Sequence, residues 1–426
     1  MAIIKVHGVL VDMPVAIAPK VYRKYVTTDK KGNKKLILQC LNAIYGTMMA
    51  SLLYYQKFSN DLKSIGFKMN PYDPCVANKM IQGSQMSICF HVDDCKLSHR
   101  KKKVNDRMIE WLRQKYESIF EDGSGKMTVS RGKVHDYLGM KIDFSIPRRV
   151  QVTMFDNVDD IIKAFEKAYP KLKGTKSTAA PSNLFIVNDD CEKLPENKAV
   201  IFHNLTAKTL FTTKRARPDT CTSLSFLTTR VRTPDTDDEK KLIHLMKYFR
   251  GTRRLPLTLS ANGSGILKWW IDASFAVHPN MRGHTGAGLS MGRGFPIVTS
   301  TKQKINTRSS TESELVGVDD LMPAICWTRY FMEAQGYGVD DTHALQDNRS
   351  SILLEKNGKA SSSKRTKHIN IRYYFVTDRI AMNELSVHWC PTEDMIADFA
   401  TKPLQGALFR KFRDQIMGIT PIENKK

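Results

Sequence analysis

The sequence predicts an α+β part followed by an α/β part that ends in a mixed β-sheet. Three observations favour this fold class. The chain has 426 residues, enough for two or three domains that each bury a core. In roughly the first 170 residues, short apolar runs with strand character alternate with amphipathic helical patterns. After Gly265, three β segments precede alternating helical and strand patterns, an order typical of an α/β layer.

The excess of positive charge points to a polyanionic partner. The sequence contains 66 Lys and Arg residues against 43 Asp and Glu residues, a formal net charge of +23. A solvated basic surface is the alternative, but an excess of this size is more typical of nucleic-acid binding. The sequence contains no long apolar span, signal peptide or lipidation motif. We therefore expect no membrane partner and an intracellular place, cytoplasmic or nuclear.

The cysteines predict reduced thiols and no structural zinc. The eight cysteines are scattered and form no CxxC pair, as in intracellular proteins that keep their thiols reduced. Cys89, His91, Cys95 and His99 stand close together, but they lie in a strand-like apolar run. Their spacing matches no usual zinc finger, so zinc is not expected there.

A pair of adjacent carboxylates stands out in the first part of the chain. A helical stripe is predicted over Asn42–Ile65, and a second amphipathic helix over Val104–Phe120. Between them, Met86–Ser98 reads as two strands joined by a tight turn at Asp93 and Asp94. Two adjacent carboxylates repel each other unless a cation lies between them, although a solvated acidic turn is an open alternative.

The middle of the chain is basic. After a helix predicted over Val158–Tyr169, residues 170–198 show little periodicity and suggest a linker or long loop. Helices are predicted over Phe202–Phe226 and Asp237–Phe249, around a break at Arg217–Asp219. The many Lys and Arg residues here form either a solvated face or a track for nucleic acid.

A strand ending in a carboxylate opens the last part of the chain. Ile266–Ser274 has the composition of a short strand, and period-two alternation puts Leu267, Trp269 and Ile271 on the face opposite Asp272. A carboxylate at the end of an apolar strand is costly to bury unless something pairs with it. Further acidic residues follow at the edges of predicted elements: Glu312, Glu314, Asp347 and Asp398.

Of the two glutamates, helical spacing favours Glu314 as the inward one. Its stripe continues through apolar residues, whereas Glu312 shares a stripe with acidic residues and is expected to face solvent. A capping box that uses Glu314 is the alternative, but Ser309 and Glu312 offer the same box one register earlier. Taken alone, Asp347 would be a helix N-cap and Asp398 a surface residue.

Together, Asp272, Glu314, Asp347 and Asp398 suit two divalent cations about 3.5–4 Å apart, one orienting an attacking water and the other stabilising a leaving 3′ oxygen. These residues lie within recognisable motifs. Asp272, Ser309–Glu314, Gln346–Asn348, Lys364–Tyr374 and Pro391–Leu404 resemble the ribonuclease H domain of copia-type retrotransposon polyproteins. Leu41–Gly46, Val92–Asp94, Tyr137–Gly139 and Arg217–Asp219 resemble the reverse transcriptase of the same family and follow in its order.

This resemblance implies hydrolysis of the RNA strand of an RNA–DNA hybrid with Mg²⁺ or Mn²⁺, held by Asp272, Glu314, Asp347 and Asp398. Asp93 and Asp94 would be the remnant of a polymerase site. The family's third polymerase carboxylate would fall before residue 1, so we expect polymerase activity to be lost.

His91, Met49 and Thr392 also depart from the family pattern, which commonly has tyrosine, glutamine and histidine there. Thr392 stands at the position of a histidine that assists product release.

The resemblance also divides the chain. We expect a partial reverse-transcriptase palm and start of a thumb over residues 1–170, and a linker and connection region over 171–261. A ribonuclease H-like domain over 262–410 and a basic tail over 411–426 would follow. Two rival functions are open: a decayed, non-enzymatic nucleic-acid-binding remnant, and an integrase-like enzyme that uses Glu384 with two aspartates. The oligomeric state is left open.

Overall fold

The computed structural model describes residues 3–39, 49–118, 125–358 and 370–422, without the side chains of Gln39 and 370–374. The chain divides into two compact units, Met1–Glu117 and Ser118–Lys426. The segment Leu41–Gly46 and the predicted helix start before residue 49 lie outside the described residues. The same holds for Lys364–Ile369 of the ribonuclease H resemblance.

In its described residues, the first unit has two antiparallel sheets and four α-helices. One sheet has the order β1-β3-β2 and the other β4-β5-β6-β7. The strands are β1 Ile3–His7, β2 Val26–Thr28, β3 Lys34–Gln39, β4 Lys68–Met69, β5 Val76–Ile81, β6 Ser84–His91 and β7 Asp94–Ser98. The helices are α1 Asp12–Ile17, α2 Pro19–Tyr22, α3 Ala50–Ser64 and α4 Lys102–Tyr116.

The predicted acidic hairpin is present in this unit. β6 and β7 pair antiparallel, with His91 opposite Asp94, so Val92 and Asp93 form the turn. Helix α3 agrees with the predicted stripe, because Phe58 and Leu62 are buried. Leu52 of the same stripe is exposed.

The second unit begins with strands and helices that precede its main sheet. A five-stranded antiparallel sheet has the order β14-β11-β10-β9-β8. Its strands are β8 Val134–Tyr137, β9 Met140–Asp143, β10 Val150–Thr153, β11 Leu257–Ala261 and β14 Gly292–Arg293. The helices are α5 Phe155–Ala168, α6 Glu196–Thr213, α7 Cys221–Arg230 and α8 Thr236–Gly251. The predicted break at Arg217–Asp219 is confirmed, since a 3₁₀ turn at Pro218–Thr220 separates α6 from α7.

A mixed sheet forms the centre of the second unit, as the sequence predicts. Its order is β15-β13-β12-β16-β17, with β12, β16 and β17 parallel and β13 antiparallel to both neighbours. The five strands are β12 Ile266–Ser274, β13 Arg282–Ser290, β15 Ile297–Asn306, β16 Asp341–Gln346 and β17 Ser386–Trp389. The accompanying helices are α9 Ser310–Ala334, α10 Arg349–Asn357, α11 Asn370–Ala381, α12 Asp398–Thr401 and α13 Gly406–Ile416.

Both faces of this sheet are buried. Leu267, Trp269 and Ile271 pack into one apolar cluster with α9 residues such as Val318. Trp270, which points the other way along β12, joins a second cluster that includes residues of α5–α8, α12 and α13. The predicted alternation is therefore confirmed, and the sheet shares a core with the helices that precede it.

Two segments pack differently from what the sequence predicts. Residues 170–195 contain no long helix or strand, as a linker would, but Ala179, Ala180 and Leu184 are buried in the shared core. Part of the basic tail expected at 411–426 belongs to α13, where Phe412 and Ile416 are buried. Apolar residues at helical spacing decide this, because they give the basic segment one face that packs.

Candidate active site

The first carboxylate lies on β12, the central strand of the mixed sheet. Asp272 lies near the end of β12, opposite Gly286 of β13, and is 2% exposed. Its Oδ2 accepts a hydrogen bond from the Thr401 hydroxyl of α12 and lies 3.7 Å from the Lys402 Nζ. A carboxylate buried this deeply depends on such partners, because burial removes most of its hydration.

Helix α9 brings Glu314 towards the same point. Ser309 caps the helix and accepts from the Glu312 N–H, while the Glu312 carboxylate accepts from the Arg308 N–H. Since Ser309 and Glu312 cap the helix, the Glu314 carboxylate is not used as a cap. It accepts a hydrogen bond from the Ala273 N–H of β12. The expectation that Glu314 faces inward is consistent with its burial.

The expectation that Glu312 faces solvent is wrong. Glu312 is 8% exposed, close to the 6% of Glu314. The helical stripe placed it among acidic neighbours, but its carboxylate bends back to the chain before the helix and is covered there.

Asp347 and Asp398 come from the two remaining elements. Asp347 follows the last residue of β16 and is half-buried; its Oδ2 accepts a hydrogen bond of 3.3 Å from the Thr392 hydroxyl. Asp398 begins the short helix α12 and is 5% exposed. Its Oδ1 accepts a hydrogen bond of 2.6 Å from the Lys402 Nζ, one helical turn later.

Three of the four carboxylates converge. One oxygen each of Asp272, Glu314 and Asp347 lies within 4.8 Å of the other two. Asp398 is outside this trio, although the charge of Asp272 acts on it. The trio is a set of hard oxygen ligands, the kind that Mg²⁺ and Mn²⁺ take in proteins.

The carboxylates of the site repel one another. Burial, and then the charges of Asp272 and Asp347, hold the pKa of Glu314 well above its usual range. Burial and the charge of Asp272 raise the pKa of Asp398 to about 7. Burial alone would lower the pKa of the Lys402 ammonium, but Asp272 and Asp398 raise it. A divalent cation among the three carboxylates would offset the repulsion that these shifts report.

Sequence reasoning gave no role to three residues that shape this site. Gly286 leaves room for α12, because a Cβ there would lie 2.6 Å from the Thr401 Cγ2 and 2.8 Å from the Ala400 Cβ. Thr401 and Lys402 then contact Asp272. The i,i+4 spacing of Asp398 and Lys402 was a readable signal for their ion pair. The approach of Gly286 to α12 had no local signal.

Asp93 and Asp94 stand in a different environment, in the first unit. Both are exposed at the tip of the β6–β7 hairpin. Val92 before them has a φ of +53°, which a β-branched residue rarely adopts. Within the described residues, neither aspartate belongs to a group of three potential metal ligands. Glu384, the residue considered for an integrase-like site, instead accepts hydrogen bonds from Tyr330 and Arg379.

In the parts of the chain that the structure describes, no helix combines the length and apolar character needed to cross a membrane. No protein-family model matches the chain. It is similar, however, to several polyproteins. A Pol polyprotein from transposon TNT 1-94 of Nicotiana tabacum is 23% identical over 380 residues, which are 87% of this chain and 27% of that protein.

Two further polyproteins match to a similar extent. A Pol polyprotein from transposon RE1 of Arabidopsis thaliana is 22% identical, covering 92% of this chain and 26% of that protein. The Ty1-DR1 Gag-Pol polyprotein of Saccharomyces cerevisiae is 22% identical, covering 89% of this chain and 22% of that protein. The chain spans about a quarter of the length of these relatives.

Solved structures give weaker likenesses. A foamy viral protease-reverse transcriptase, solved with an RNA/DNA hybrid, is 12% identical with a TM-score of 0.48 and covers 86% of this chain and 41% of that one. RNase H1 from Halobacterium salinarum is 15% identical with a TM-score of 0.23, covering 32% of this chain and 94% of that one. On the sequence matches, the chain is related over about nine-tenths of its length to Pol polyproteins of copia-type retrotransposons.

Proposed function

We propose that this chain is a ribonuclease H that hydrolyses the RNA strand of RNA–DNA hybrids with Mg²⁺ or Mn²⁺. The observation that carries the proposal is the convergence of Asp272, Glu314 and Asp347 within 4.8 Å, with Asp398 beside Asp272. These residues come from four separate elements, so their meeting is a product of the fold. We assign the activity to residues 262–410, with residues 1–170 as a reverse-transcriptase palm region and start of a thumb, and 171–261 as a linker and connection region.

Each residue of the site has a role in this proposal. Asp272, Glu314 and Asp347 hold the divalent cations, and Asp398 contributes once it is deprotonated. Lys402 lowers the pKa of Asp398 and so favours its ionised form. Two bound cations would supply a nucleophilic hydroxide and stabilise the leaving 3′ oxygen. Thr392 orients Asp347 through its hydroxyl, at the position where the family pattern has a histidine.

Residues near Asp347 offer a surface for the nucleic acid. Arg349 begins α10, and its guanidinium carbon lies 4.6 Å from the centre of the Trp389 ring. Trp389 is 49% exposed at the end of β17. An exposed aromatic ring with an arginine above it suits a sugar-phosphate backbone, and we propose that hybrids are recognised by their shape and 2′-hydroxyls.

Cleavage of a hybrid labelled on its RNA strand tests the proposal. The full 426-residue chain is used, because the mixed sheet shares its core with preceding helices. Wild-type protein with Mg²⁺ should cut the RNA strand of the hybrid and leave double-stranded DNA intact. Asp272→Asn should reduce cleavage to background, and Asp378→Asn, at an exposed residue of α11, should leave it unchanged.

Failure of a folded wild-type chain to cut in either metal would refute this function. If that chain still bound the hybrid, the non-enzymatic nucleic-acid-binding alternative, which the charge of +23 favours, would replace it. We further propose that polymerase activity is lost in this chain alone. The support is the exposure of Asp93 and Asp94 and, among the described residues, their lack of a third grouped ligand. Primer extension by the full chain would overturn that proposal.

A further inference from the structure

A second group of metal-ligating side chains lies at the other end of β16. Asp341 and His343 are two residues apart on this strand and therefore share one face of the sheet. β17 runs parallel to β16, with Ser386 opposite His343 and His388 opposite Leu345. One ligand atom from each of Asp341, His343 and His388 lies within 4.8 Å of the other two.

Hydrogen bonds and ring contacts hold the three side chains of the group close together. The His343 Nε2 lies 3.1 Å from the Asp341 Oδ2, and the two imidazole rings are 4.3 Å apart. The Ser386 hydroxyl donates to the same Asp341 oxygen at 2.5 Å and lies 2.9 Å from the His388 Nε2. A simple Asp–His hydrogen bond would explain Asp341 and His343, but it does not need His388 to converge on them.

We propose that Asp341, His343 and His388 form a second metal site that takes a transition-metal cation, with Zn²⁺ as the best fit. Two imidazoles and one carboxylate are the donor set that Zn²⁺ takes in three-ligand sites, with a water as fourth ligand. Mg²⁺ prefers oxygen ligands and would stay at the carboxylates of the active site. Asp341 and His343 are half-buried and His388 is exposed, so a cation can reach the group from solvent.

The position of the group separates it from the active site. His343 and Asp347 are four residues apart on an extended strand, a span of about 13 Å. A cation held by β16 and β17 would fasten the four-residue β17, the edge strand of the sheet, to the strand that leads into Asp347. We therefore infer a structural role that stabilises this edge.

Positive charges near the group should weaken cation binding. Lys268 of β12 lies opposite His343 in the parallel pairing of β12 with β16. The charge of Lys268 acts on both histidines. The charge of Lys356 in α10 also acts on His388. Both ammonium groups repel a cation, so replacing Lys268 with methionine should strengthen zinc binding while leaving the ligands in place.

Calorimetric titration of the full chain with Zn²⁺ tests the proposal, with excess Mg²⁺ present to occupy the carboxylates. The cysteines are the same in every variant, so differences between variants report the histidine group. His343→Gln and His388→Gln should each weaken zinc binding by more than about tenfold, the smallest effect usual even for outer-shell partners of a metal. His203→Gln, at an exposed residue of α6, should leave zinc binding unchanged.

A second readout guards against misfolding of the glutamine variants. Asp341→Asn keeps the shape of the side chain and should also lose zinc affinity, with an unchanged circular dichroism spectrum. Zinc should raise the unfolding temperature of the wild type and of His203→Gln, but not that of the ligand variants. The proposal is overturned if the wild type binds no zinc, or if all three ligand variants bind it as the wild type does.

Discussion

Replacing Asp272 with asparagine should stabilise the metal-free protein while removing its response to Mg²⁺. Asp272, Glu314 and Asp347 have oxygens within 4.8 Å of one another. At this distance, two full charges repel by about 3.5 kcal/mol for an effective dielectric constant of about 20. Protonation of Glu314 relieves part of this repulsion, because its pKa is held well above the usual range. Asp272→Asn also loses attraction to Lys402, which is 3.7 Å away.

On the same scale, the repulsion of Asp272 by Glu314 and Asp347 together is about 7 kcal/mol, and its attraction to Lys402 is about 4.5 kcal/mol. The net effect should therefore be a gain of about 1–3 kcal/mol, or about 2–6 °C in unfolding temperature for a unit of this size. Thermal unfolding of the full chain, followed by circular dichroism at about pH 8 without metal, measures it. Mg²⁺ should then raise the unfolding temperature of the wild type but not of Asp272→Asn. Asp378→Asn removes an exposed carboxylate of α11 and serves as the matched control.

The same repulsion sets the pH dependence. Burial and the charge of Asp272 raise the pKa of Asp398 to about 7 in the folded protein, from its ordinary value of 3.8, so the folded state binds this proton more tightly. Metal-free stability should therefore rise as pH falls from about 7 to about 4 through this group. A lower unfolding temperature for Asp272→Asn than for the wild type, in metal-free buffer at about pH 8, would refute the reasoning.

Three further results are expected. Lys402→Met should raise the pKa of Asp398 above about 7 and move the acidic limb of the pH–cleavage profile to higher pH; an unmoved limb would contradict this. Gly286→Val should destabilise the chain by about 1–3 kcal/mol and abolish cleavage, because the added side chain would clash with Ala400 and Thr401. Gly338→Val, where the added side chain has open space, should change neither the unfolding temperature nor cleavage. Asp93→Asn should leave hybrid cleavage and calorimetric Mg²⁺ affinity unchanged, and a loss of either would assign this turn a part in the reaction.

Local periodicity was enough to predict the parts of the site that depend on one element. Alternation along β12 separates Ile271 from Asp272, and a helical stripe favours Glu314 as an inward residue. The same stripe failed for Glu312, because periodicity describes the direction of a helix face and not what covers its first turn. Capping by Arg308 and Ser309 buried a side chain that the pattern left in solvent.

Contacts between distant segments could not be predicted in this way. Asp398 reaches Asp272 only because α12 packs over Gly286, and that approach depends on a missing side chain in β13. The pairing of β16 with β17 likewise brings His388 to Asp341 and His343, across about 45 residues of chain. Taken alone, Asp398 reads as a surface residue, so local periodicity did not predict its approach to Asp272.

Exposure explains why the more conspicuous acidic pair in the sequence is the weaker candidate for catalysis. Asp93 and Asp94 are adjacent in the chain, but both are exposed, so water and salt screen their repulsion and no cation is required. Asp272 and Glu314 are far apart in sequence and almost fully buried, so their repulsion is not screened. The demand for a cation is therefore strongest where the fold has removed water. For this reason, we propose that the metal-dependent chemistry takes place at β12 and not at the hairpin.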